Sequence, residues 1–182
     1  IIHSGMQRTR ETAEIVAREL GLPASAVVAD TRITELKIGA EYEGKTWDEF
    51  NLNFSSEEEK FTKNLPGVES RFELIKRTGE FLYDIDATHT NENVLIIGHA
   101  SSIFALECAA EGAEFKRIIE IKKAGYFKNT EVRDLLFTPV PHNDLYQLDY
   151  HRPYIDEIDL FDTDGTKLER IKDVFDCWFE SG

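Results

Sequence analysis

The chain has 182 residues, 41% of them hydrophobic and 31% charged, with a formal net charge of −14. That length holds one packed domain, or one domain plus part of another, and no stretch is long and apolar enough to span a bilayer. So acidic a chain draws no affinity for nucleic acid from its overall field, and any phosphate contact has to come from a local basic patch.

The chain opens on Ile1-Ile2-His3-Ser4, which reads as the end of a strand without an initiator Met. It closes on Glu180-Ser181-Gly182 directly after an apolar run. Both ends are expected to lie inside a longer protein. Residues 8 to 20 place Ala13, Val16, Ala17 and Leu20 at helical spacing, and Gly21 and Pro23 supply the stop. A short strand is predicted over residues 25 to 29, then an irregular stretch to residue 46 with Gly39 and Gly44 as turn points. Residues 46 to 63 carry Glu57, Glu58 and Glu59 on a solvated, helical excursion.

After Pro66-Gly67 a second helix is predicted over residues 68 to 85, with Val68, Phe72, Ile75, Leu82 and Ile85 on one side. Val94-Leu95-Ile96-Ile97 is apolar on both faces, as a central parallel strand is. Gly98-His99-Ala100-Ser101 ends it, and the helix that follows carries Ile103, Leu106 and Ala110 on one stripe. Residues 118 to 137 alternate weakly and predict edge strands about a turn at Lys128-Asn129. Alternating strands and helices argue for an α/β sandwich. Near Pro139 and Pro141 the chain turns extended and acidic, with Asp164-Gly165 as a hairpin turn. A boundary near residue 138 divides it into units 1–137 and 138–182. Cys108 and Cys177 lack the paired spacing of a metal site and read as reduced, structural thiols of a cytoplasmic protein. No metal site is expected.

Three features ahead of residue 138 carry chemistry. Ser4-Gly5-Met6-Gln7-Arg8-Thr9-Arg10 puts an arginine at the start of a helix that follows a strand. Free amides and a guanidinium fork suit an anion there, although spacing alone favours surface arginines pairing with Glu11 and Glu14. His99 stands at the carboxyl end of an apolar strand, where open α/β sheets bind ligands; a lone histidine there is more often structural. Glu35, in a glycine-punctuated loop, suits a general acid or simply the surface.

As a set these pieces are more specific. Residues 4–13 resemble the "S-x-x-x-R-A-x-x-T-A" stretch of the histidine phosphatase superfamily, also called phosphoglycerate-mutase-like. Glu35, Gly39 and Glu43-Gly44 resemble its "L-x-E-x-x-x-G-x-x-E-G" stretch. Pro66-Gly67-Val68-Glu69-Ser70 resembles "P-G-G-E-S", and residues 94–101 resemble "V-L-V-V-S-H-G-G". The resemblance implies a three-layer α/β/α sandwich acting on a phosphomonoester through a phosphohistidine. It implies Arg8 as a phosphate-binding arginine, His99 as the second histidine, Glu35 as proton donor and Ser4 as a substrate-binding residue. The family's nucleophile sits in an "R-H-G" turn on a strand ahead of the Ser4 stretch. No such triplet occurs here, and His3 lies in the wrong element to replace it. The fold is thus expected to lack its first strand, and the chain by itself not to turn over a phosphate ester. Ala100 and Gly98 stand where the family usually has Gly and often has Ser.

The carboxyl-terminal part carries a second resemblance. His151-Arg152-Pro153-Tyr154-Ile155-Asp156-Glu157-Ile158, Gly165-Thr166-Lys167-Leu168-Glu169-Arg170 and Asp173-Val174-Phe175-Asp176-Cys177-Trp178-Phe179-Glu180-Ser181-Gly182 resemble successive stretches of isoleucyl-tRNA synthetases of class I. This implies a short extended segment returning to a synthetase core, with Trp178 near an aliphatic aminoacyl pocket. For the parent protein it implies isoleucine and tRNA as partners, and ATP with Mg as cofactors. The ATP-binding signatures "H-I-G-H" and "K-M-S-K-S" are absent, so no cofactor is expected in this chain. Three readings follow: a synthetase with an inserted phosphatase-like domain, a stand-alone phosphatase or mutase, and a catalytically dead binding or spacer module.

Overall fold

The computed structural model describes residues 1–125, 127–169 and 171. Three short parallel strands form the sheet: β1 (Ile2–His3), β2 (Val28–Ala29) and β3 (Ile96–Ile97), in the order β2-β1-β3. Ile2 pairs with Val28 on one side and Ile96 on the other, and His3 with Ala29 and Ile97. Residues 94–97, expected as a central strand, therefore lie at one end of the sheet among the described residues, and β1 takes the centre. The Ile96 and Ile97 side chains are half-buried, in keeping with an edge position.

Successive strand side chains point to opposite faces. Ile2 joins Ile33, Phe81, Leu82 and Leu106 in one buried cluster, whereas His3 faces a hollow shared with Arg10, Glu14 and Ala17. Helix α1 (Gln7–Glu19) thus covers one face, and helices α4 (Arg71–Thr88) and α5 (Ala100–Ala110) cover the other. The predicted first and second helices are α1 and α4, each within a few residues of the expected bounds. Thr46 and Ser70 cap α2 (Trp47–Asn51) and α4 through reciprocal bonds with Glu49 and Glu73, satisfying helix-end amides.

A second cluster joins Phe61 of α3 (Glu59–Thr62), Leu74 and Ile75 of α4, Phe104 and Cys108 of α5, and Ile118 and Ile121 of α6 (Phe115–Ala124). Helix α6 corrects the edge strands expected over residues 118 to 137. Ile118 and Ile121 recur at helical spacing and are buried, and Lys122 and Lys123 stand in the last turn, where the helix dipole favours cations. The weak alternation was the flank of that helical pattern. Glu57, expected on a solvated face, also pairs with Lys60 at 2.6 Å and with Lys122. Those ammonium groups hold its carboxyl down at about 2 against the cost of burial.

Beyond α6 the described residues form turns, isolated bridges and a short 3-10 turn at Tyr154–Asp156. The Tyr83 hydroxyl donates to the Val140 carbonyl at 3.1 Å, and the Val140 N–H donates to the Tyr83 hydroxyl oxygen at 3.2 Å. The Leu148 N–H donates to the Gly112 carbonyl at 2.8 Å. The boundary expected near residue 138 thus has contacts to the α/β body on both sides. The Asp164-Gly165 turn forms as expected, with an isolated antiparallel bridge between Phe161 and Lys167 and Gly165 at φ +86°.

Candidate active site

Strands β1 and β3 are adjacent and parallel, so their carboxyl ends lie side by side. The chain leaves β1 through Ser4-Gly5 into α1, and leaves β3 through Gly98-His99 into α5. That topology brings together residues more than ninety positions apart. Gly5 takes φ +83°, a left-handed conformation natural to glycine. A Cβ on Gly98 would meet Ser102 Oγ at 2.9 Å. Glycine at this position leaves Ser102 room to accept the His99 N–H at 3.0 Å. Neither α1 nor α5 has an acidic residue in its first turn, so both positive helix ends face the site without a built-in anion.

His99 is the centre. Its Nε2 lies 2.7 Å from Ser4 Oγ, and Arg8 donates to its Nδ1 from Nε at 3.2 Å and from Nη2 at 2.8 Å. Ser4, Thr9 and His99 are buried, while Arg8 is exposed, a guanidinium reaching the ring from the solvent side. Burial, with the Arg8 charge adding to it and Glu35 opposing, holds the His99 imidazole below its ordinary 6.5, so the ring is neutral near pH 7. Arg8 thus meets His99 instead of pairing with Glu11 or Glu14, whereas Arg10 makes a surface pair with Glu14 at 3.9 Å.

Glu35 is half-buried, and its charge is felt at His99. Its Oε1 accepts the Leu36 N–H at 2.8 Å. Arg77 of α4 holds this loop: it donates to the Thr34 carbonyl at 3.0 Å, to the Glu35 carbonyl at 3.1 Å, and to the Arg32 carbonyl. The same guanidinium forks onto Glu69 at 2.5 and 2.9 Å, and the Glu69 N–H donates to the Lys37 carbonyl at 2.8 Å. One arginine therefore ties α4, the Glu35 loop and the Pro66-Gly67 turn together.

Of the residues expected to act, the structure brings Ser4, Arg8 and His99 into contact and sets Glu35 within electrostatic reach. Ser4 lies beneath the imidazole, 1% exposed. Trp178 lies outside the described residues. His3 faces the α1 hollow, its Nδ1 accepting the Gly5 N–H at 3.0 Å. Thr9, Glu69 and Arg77 were not singled out as acting residues. Thr9 and Glu69 stood inside quoted motifs without a role of their own, whereas Arg77 carries no signal without its contacts. Among the described residues no group of three or more His, Cys, Asp or Glu is placed to hold a metal ion. Among the described residues no helix is long and apolar enough to cross a membrane.

Comparison with known proteins places this geometry. The chain is 34% identical over 130 residues to a putative phosphoserine phosphatase 2 of Hydrogenobacter thermophilus, covering 66% of this chain and 60% of that one. It is 40% identical over 68 residues to an isoleucine–tRNA ligase of Bacteroides fragilis, covering 35% of this chain but 6% of the ligase. With the ligase of Deinococcus radiodurans it shares 54% over 39 residues, 21% of this chain and 4% of that one. The chain thus spans a small part of the ligases and less than two thirds of the phosphatase. Among solved structures, a mycobacterial glucosyl-3-phosphoglycerate phosphatase in complex with inorganic phosphate superposes with a TM-score of 0.56 at 23% identity. That match covers 71% of this chain and 65% of that one. Bacillus stearothermophilus YhfR gives a TM-score of 0.53 at 26% identity, covering 64% of this chain and 58% of that one. The model of the histidine phosphatase superfamily (branch 1) matches residues 1–139, and the chain belongs to that superfamily.

Proposed function

We propose that residues 1–139 form the phosphate-ester site of a histidine-phosphatase-type hydrolase, with Arg8 and His99 as oxyanion ligands and Glu35 as the acid. The observation that carries this reading is the Arg8–His99 contact at 2.8 Å, spanning 91 residues at the carboxyl ends of adjacent parallel strands. A fork of N–H donors and an imidazole beside two open helix ends are what a phosphoryl group requires. The mycobacterial neighbour was solved with inorganic phosphate and also with vanadate, which supports an anion at the corresponding place.

In the proposed reaction an imidazole nitrogen attacks phosphorus. The N–P bond forms as the ester P–O bond breaks, and the Glu35 carboxyl gives its proton to the departing oxygen. Water then attacks phosphorus, giving a proton back to the Glu35 carboxylate, and the N–P bond breaks to release phosphate and the free imidazole. The nucleophile is expected on an "R-H-G" strand that this sequence lacks. The outer edge of β3, unpaired among the described residues, offers such a strand its place. The test is hydrolysis of p-nitrophenyl phosphate by the full-length parent protein. His99→Ala and Glu35→Gln are each expected to lower kcat at least about a hundredfold. Rates equal to wild type would overturn the mechanism.

A second reading is carried by the ligase matches. In it, the part after residue 138 belongs to an isoleucine–tRNA ligase in which the phosphatase-like domain is an insertion. ATP, Mg, isoleucine and tRNA are then partners of the whole enzyme, and Trp178 lines its amino-acid pocket. Isoleucine-dependent pyrophosphate exchange by the full-length protein, weakened in Trp178→Ala, is the expected result. No exchange would end this reading.

A further inference from the structure

The hydrogen bonds beneath His99 run in one direction. The Thr9 hydroxyl donates to the Met6 carbonyl at 2.9 Å, so toward Ser4 Oγ, 2.8 Å away, Thr9 presents a lone pair. Ser4 therefore gives its proton to Thr9. Its oxygen accepts the Met6 N–H at 3.4 Å and, with its remaining lone pair, His99 Nε2 at 2.7 Å. With one proton given and two accepted, Ser4 has no bonding capacity left for a ligand. Across the ring, Arg8 donates twice to Nδ1. A guanidinium cannot accept, so Nδ1 is bare and the ring proton sits on Nε2.

We propose that Ser4 and Thr9 are positioning residues that hold His99 as the neutral Nε2–H tautomer, and that an entering oxyanion draws Arg8 off Nδ1, which then takes up one proton. The inference rests on the phosphate reading above and adds a proton-coupled step to it. The charged groups acting on His99 are Arg8 from α1, Glu35 from the loop after β2, and Arg77 from α4. Both arginines oppose protonation and Glu35 favours it. When a dianion replaces the guanidinium at Nδ1, the nearest charge changes sign, and the ring becomes a second cationic donor to the anion. The proton comes from solvent, one for each anion bound.

Two measurements test this. Nitrogen-detected NMR of the full chain is expected to find His99 as the Nε2–H tautomer in the wild type and in Arg8→Met, where Ser4 alone still takes the ring proton, and a mixture when Ser4→Ala or Thr9→Val is added to Arg8→Met. Finding Nδ1–H in the wild type, or an unchanged tautomer in both double variants, would overturn the positioning role. Calorimetric titration with inorganic phosphate near pH 8, in buffers of different ionisation enthalpy, is expected to report uptake of about one proton per phosphate. Ser4→Ala should bind about tenfold more weakly. Phosphate that binds without proton uptake refutes the coupling alone. Phosphate that does not bind at all refutes the phosphate reading and the coupling with it, while the NMR arm still decides the roles of Ser4 and Thr9.

Discussion

At the scale of single residues, the site consists of groups that are ordinary taken alone. Arg8, Glu35 and His99 were each legible as motif members, yet for each the bland reading was the better one until the set was assembled. Thr9 was not legible. Its role depends on the Ser4–His99 contact, which bridges 95 positions and exists only because β1 and β3 are neighbours. The buried His99 ring gives a signed pH prediction. Its folded-state value lies below its ordinary 6.5, so the unfolded chain binds more protons as pH falls, and stability drops below about pH 6.5. Urea unfolding between about pH 7.5 and 5 should find a shallower loss in His99→Asn than in wild type. An identical pH slope would count against a buried neutral His99. Burial also pushes the Cys108 thiol far up. A thiol reagent should leave Cys108 unmodified in the native protein and label it only after unfolding; labelling at native pH would contradict its place in the core.

At the scale of elements, helices with a clear apolar stripe were readable, and the short strands were placed to within a few residues, whereas their order in the sheet was not legible. Two-residue strands give periodicity too little to fix sheet order; residues 94–97, apolar on both faces, read as a central strand, and β3 has one edge unpaired among the described residues, the place proposed above for a further strand. Helix α6 was hidden because a few isoleucines spaced by three also look like weak alternation. The Arg77–Glu69 pair was invisible because its partners sit on three separate elements. Their side chains are 14% and 8% exposed, and removing one partner strands a buried charge. Arg77→Met should cost about 3 kcal/mol in urea unfolding, with faster amide exchange at Lys37 and Glu69. A loss under about 1 kcal/mol would mean that the clamp is not holding the Glu35 loop. Gly79 gives a sharper sign test. In an unobstructed helix Gly→Ala gains about 1 kcal/mol, but a Cβ here would lie 2.4 Å from Tyr146 Cγ. Gly79→Ala should therefore destabilise by about 1–3 kcal/mol, and Tyr146→Ala should relieve that penalty in the double variant. Stabilisation by Gly79→Ala alone would show that Tyr146 does not dock there.

At the scale of the molecule, the sequence holds no stretch long and apolar enough for a membrane-spanning helix, and the alternation of elements predicted a mixed α/β fold. The two resemblances divided the chain near residue 138, yet the contacts of Tyr83 with Val140 and of Leu148 with Gly112 cross that line. Sequence character marks where one kind of chain gives way to another, whereas packing marks where chain is held, and the two need not coincide. The proposed function requires that this acidic protein hold a local oxyanion site made by Arg8 and His99. Titration of the chain with inorganic phosphate tests it most directly, comparing wild type with Arg8→Met and His99→Ala, each checked for folding by circular dichroism. Saturable binding is expected in the wild type, with a loss of at least about tenfold in each folded variant. Wild-type affinity in both variants, or no binding in the wild type, would contradict it.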